Sequence, residues 1–60
     1  MTVKEFKQIA KNIYEYDFFH KGNFYTNMYN KFDDYIITEI NFAIDRYERI
    51  ICTLDVIEKN

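Results

Sequence analysis

The chain has no serine, proline or tryptophan, and only one glycine, one cysteine and one leucine among its 60 residues. Each scarcity excludes something. Without serine there is no serine nucleophile. With Cys52 alone there is no intrachain disulfide, and one thiol cannot assemble a structural zinc site. No stretch approaches the roughly 18 apolar residues of a membrane span. Residues 1 to 20 carry Lys4, Glu5, Lys7, Lys11 and Glu15 and hold no apolar core of a secretory signal. The expected setting is therefore cytoplasmic, with a reduced thiol and no membrane partner. A net charge of -2 argues against a non-specific nucleic-acid binder, which should be clearly basic.

What the chain does have is apolar and aromatic mass. Six tyrosines, six phenylalanines and nine isoleucines stand in 60 residues. A single domain of this size buries only about 60% of its unfolded surface and is marginal alone. With no staple available, stability must come from a dense core or from self-association.

Thr2 and Glu5 have the spacing of a capping box. Val3, Phe6, Ile9, Ala10, Ile13 and Tyr14 then recur at helical spacing, with Lys4, Lys7, Gln8, Lys11 and Asn12 opposite. His20-Lys21-Gly22-Asn23 is the clear break. Residues 24 to 32 fit a helical stripe, and they also fit a hairpin of Tyr14 to Phe19 against Phe24 to Tyr29. Asp33 and Asp34 read as a helix cap and first turn.

Residues 34 to 58 decide the fold, and two periods compete there. As strands, Ile36, Thr38, Ile40, Phe42 and Ile44 alternate, and Ile50, Cys52, Leu54 and Val56 alternate again. As a helix, Ile36, Ile37, Ile40, Ala43, Ile44, Tyr47, Ile50, Ile51, Leu54 and Ile57 form one stripe about 160° wide. The strand reading needs a turn near Asp45-Arg46-Tyr47-Glu48, which contains no Gly, Asn or Pro. Asp45 and Arg49 have the spacing of a helical ion pair. These points favour an all-α fold in one domain: a helix over 3–19, a turn at 20–23, a helix over 24–32 and a long helix over 34–58, in a helical hairpin or small three-helix unit able to dimerise into a bundle. The alternative is an α+β fold with an N-terminal helix and a small antiparallel sheet.

The chemistry-bearing residues are sparse. His20 at a turn and Cys52 on the polar side of a helix read as a solvated imidazole and a bystander thiol. Asp33, Asp34, Asp17 and Glu15 lack the glycine-containing loop of alternating ligands that calcium favours, so no metal or cofactor is expected. Lys4, Lys7 and Lys11 read as a solvated face. The function expected is non-catalytic: stoichiometric contact with another protein, with itself, or both. An inhibitor or regulator of a host enzyme, of the kind phages and mobile elements encode, fits the size and composition. A small DNA-binding regulator and a self-assembling subunit are the alternatives. The expected contact residues are Tyr35, Phe42, Arg49 and Val56, which share a heptad line off the main stripe and include hot-spot residue types.

Overall fold

The computed structural model describes residues 1–26 and 30–59. One short helix and four strands follow in order: α1 (Val3–Ile9), β1 (Ile13–His20), β2 (Asn23–Thr26), β3 (Ile36–Ile44) and β4 (Ile50–Ile57). They form one mixed sheet of order β2-β1-β4-β3. β1 pairs antiparallel with β2 and parallel with β4, and β3 pairs antiparallel with β4.

The all-α expectation is overturned, and the α+β alternative is closer. The capping box forms: the Thr2 hydroxyl accepts from Glu5 N–H at 3.2 Å, and Glu5 Oε1 accepts from Thr2 N–H at 2.8 Å. The helix nevertheless ends at Ile9 rather than near residue 19, and Asn12 then takes a left-handed φ of 64°. The tertiary context overrides the helical spacing of Ile13 and Tyr14, because both lie in β1. The expected helix over 24–32 starts as strand β2 instead; residues 27–29 lie outside the described residues. Lys21 and Gly22 take φ of 52° and 78°, the two positive values of a type I′ turn, so Gly22 closes a β-hairpin instead of ending a helix.

The long helix over 34–58 is replaced by the β3–β4 hairpin. Its β-branched residues suit a pleated surface, and burial has period 2: Cys52, Leu54 and Val56 are buried while Ile51, Thr53 and Asp55 are only partly so. The turn needs no glycine because the Asp45 carboxylate organises it. Asp45 Oδ1 accepts from the amides of Tyr47 and Arg49 at 2.8 and 2.9 Å, and Glu48 takes the left-handed φ of 62°. The Asp45–Arg49 ion pair exists at 2.7 Å, across this turn rather than along a helix. Asp33 and Asp34 lie in a turn and cap no following helix. The Asp33 carbonyl instead accepts from Lys4 N–H at 3.0 Å.

α1 and the segment leading into β3 cover one face of the sheet. The core on that face is Val3, Phe6, Phe18, Phe32, Cys52, Leu54 and Val56. Phe32 holds it together, with its ring 4.9 Å from Phe18, 5.2 Å from Tyr25 and 4.9 Å from Tyr35. Among the described residues no helix is long and apolar enough to cross a membrane.

Candidate functional site

β3 is an edge strand of nine residues. Its start is occupied: Thr2 bridges Ile36, and Ile37 N–H donates to the Met1 carbonyl at 3.0 Å. From Thr38 onward the outer side of β3 has no backbone partner among the described residues. The backbone parity can be read from the turn. Asp45 N–H points inward to the Arg49 carbonyl at 3.0 Å. Alternation along an antiparallel strand then turns the amide and carbonyl groups of Asn41 and Ala43 toward β4, and those of Ile40, Phe42 and Ile44 outward.

The side chains on this edge are apolar. Ile40, Phe42 and Ile44 lie opposite Leu54, Cys52 and Ile50, on the face that carries the core. They extend past its cover and are 39%, 60% and 70% exposed. Natural edges are usually blunted by lysine, proline or shortness. Over Thr38–Ile44 the only charge is Glu39.

At the end of the hairpin an arginine is held between two tyrosines. The Arg49 guanidinium carbon stands 4.0 Å from the Tyr14 ring centre and 4.8 Å from that of Tyr47. Both tyrosines are exposed. Asp45 fixes the guanidinium from the side and raises its pKa, chiefly through their hydrogen bond; the bonds from Arg49 and Tyr47 lower that of Asp45. The arrangement presents exposed aromatic area beside a cation held by Asp45.

The four contact residues expected from the sequence do not form one exposed surface. Phe42 stands on the open edge and Arg49 in the aromatic stack. Tyr35 is half-buried against His20 and Phe32, and Val56 is a core residue. Ile40, Ile44 and Tyr47, read from the sequence as part of a buried helical stripe, are exposed. Tyr14, also exposed, completes the stack. The strand alternation Ile40-Phe42-Ile44 was the signal that marks the edge.

The other candidates resolve differently. Cys52 is buried, and burial followed by the Asp17 charge pushes its thiol up to about 11. His20 is not a solvated imidazole: its Nε2 lies 2.8 Å from Glu58 Oε1, with its ring edge-on to Phe32 and Tyr35. Cys52 sits opposite Tyr16, four residues along β1 from His20, a separation of about 13 Å that precludes a thiol–imidazole pair. No group of His, Cys, Asp or Glu able to hold a metal occurs among the described residues. Of the lysine stripe, Lys4 and Lys11 are exposed, whereas Lys7 bonds Asp33 at 2.9 Å. A groove of about 690 Å³ between the end of α1 and the first half of β1 is lined by Lys7, Lys11, Tyr14 and Glu15, among others. It brings together charges of both signs and defines no ligand class.

Comparison with protein-family models, with curated proteins and with solved structures found no match to this chain.

Proposed function

We propose that the protein is a non-catalytic binding module that acts by taking a strand of another polypeptide onto the free edge of β3. The observation that carries this reading is the coincidence, over Thr38–Ile44, of an unpaired outward backbone with three exposed apolar side chains on one face. Main-chain hydrogen bonds along such an edge supply affinity, and alternate side chains supply specificity. The Tyr14–Arg49–Tyr47 stack stands beside the end of the edge and supplies a polar, aromatic rim. The contact is stoichiometric, as in an inhibitor or regulator of the kind phages and mobile elements carry against a host enzyme.

Tagged protein recovered from the native cells under mild conditions tests this. The wild-type chain is expected to carry a stoichiometric polypeptide with it, whether another protein or an untagged second copy. Phe42→Lys is expected to lose it, while Phe24→Lys, at an exposed site off this edge, keeps it. Recovery of the same species by both variants would sink the reading.

A further inference from the structure

We infer that the occupant of the β3 edge is a second copy of this chain, joined β3 to β3 antiparallel about a two-fold axis through Asn41. The inference rests on the reading above that this edge is the contact surface.

The position of the axis follows from the limits of the free edge. At one end Met1 and Thr2 already pair with Ile37 and Ile36. At the other the chain turns at Asp45, whose amide points inward. The free segment is therefore Thr38–Ile44, and its middle residue is Asn41. A two-fold axis at any other residue leaves part of the edge unpaired.

Three features are compatible with an antiparallel pairing about that axis. The first is backbone parity. The outward groups of Ile40 meet those of the partner's Phe42, and both belong to the outward set, so they form closely hydrogen-bonded pairs. Asn41, with inward groups, forms the intervening non-hydrogen-bonded pair. The second is charge. Glu39, the one charged residue of the segment, falls opposite the partner's Ala43, whereas a parallel in-register copy would set Glu39 against Glu39. The third is the apolar face. Antiparallel neighbours keep their faces, so Ile40, Phe42 and Ile44 of both copies merge into one strip on the helix-bearing side. Ile40 falls opposite the partner's Phe42 and Ile44 opposite the partner's Thr38. The result is an isologous dimer with a continuous eight-stranded sheet, four strands from each copy.

The size of the chain supplies the drive. Among the described residues seven apolar side chains are buried, while ten large hydrophobic ones are exposed. A chain this small with so thin a core gains stability from covering that surface by association.

The test is sedimentation velocity on the purified full chain over a concentration series, with cross-linking through an introduced thiol. The wild type is expected to move from monomer to dimer. Phe42→Lys is expected to keep the circular dichroism spectrum of the parent and to weaken the dimer by at least about tenfold. Asn41→Cys should form a disulfide-linked dimer under mild oxidation, because its Cα atoms face each other in a close pair. Glu39→Cys should not, because the two copies of that residue would lie about 14 Å apart. Cys52 is buried and should take no part. A chain that stays monomeric throughout, a dimer unaffected by Phe42→Lys, or equal cross-linking at both positions overturns the inference. If the purified chain is monomeric yet still recovers a foreign polypeptide that Phe42→Lys loses, only the second copy is refuted and the binding edge stands. If neither association occurs, both fall.

Discussion

Asp17 is the one charged or polar residue that is buried among the described residues, at 6% exposure, and its Oδ1 has no hydrogen-bond partner. It lies on β1 beside Glu15, opposite Thr53 of β4 and Thr26 of β2. Burial first, then the hydrogen bond and charge of Glu15, raise its carboxyl from 3.8 to about 6. The folded state therefore holds this proton more tightly than the unfolded chain does. Stability from this group is full below about pH 4 and is lost as pH rises through about 6, a difference of up to about 3 kcal/mol. Glu5, Asp45 and Glu58 act in the opposite direction, since their lowered pKa values give stability that is lost on acidification below the usual carboxylate range. Asp17→Asn is expected to raise the unfolding free energy at pH 7 by about 2 kcal/mol and to flatten its fall between pH 4 and 6. Urea denaturation at several pH values measures this. An unchanged pH profile would show that Asp17 is not the group responsible. Cys52, with its thiol held up near 11, should react with a thiol reagent only as fast as the protein opens. Rapid labelling of the native chain would contradict its burial.

At the scale of elements, the turn at Asp45–Arg49 organises the hairpin and shows why the fold was only partly legible. The capping box at Thr2 and Glu5 was readable because it is a local interaction between residues three apart. The long hairpin was not, because the doublets Ile36-Ile37 and Ile50-Ile51 satisfy a helical stripe as well as a strand. Asp45 and Arg49 also pair at the same spacing in a helix and across this turn. The missing Gly, Asn and Pro pointed away from a turn. The deciding chemistry was one carboxylate accepting two backbone amides, with Glu48 placed in left-handed backbone. For the candidate site, the heptad line grouped Tyr35, Phe42, Arg49 and Val56 as one exposed seam of a helix, whereas in the sheet Val56 is core and Tyr35 half-buried. Two substitutions test the turn. Glu48→Gly should stabilise the protein by up to about 1 kcal/mol by relieving the left-handed conformation. Asp45→Ala should lower the melting temperature, and a thermal scan that ranks it with the parent would contradict the role given to its carboxylate.

At the scale of the whole molecule, the balance between covered and uncovered apolar surface sets the behaviour. α1 and the segment before β3 shield the sheet around Phe18, Leu54 and Val56, but the sheet runs on past them to Ile44. An aspartate at Ile40, which a helical core would not tolerate, is therefore expected to leave the isolated chain folded and to remove its association. The outer edge of β3 is the central claim, and amide hydrogen exchange resolved by residue reads it most directly. The exchange is followed on the chain over a concentration series, and again on the complex recovered with it from native cells. In the associated state the amides of Ile40, Phe42 and Ile44 are predicted to slow strongly, while those of Asn41 and Ala43, already bonded to β4, change little. An associated state in which the three outward amides exchange as fast as in the monomer would contradict the claim.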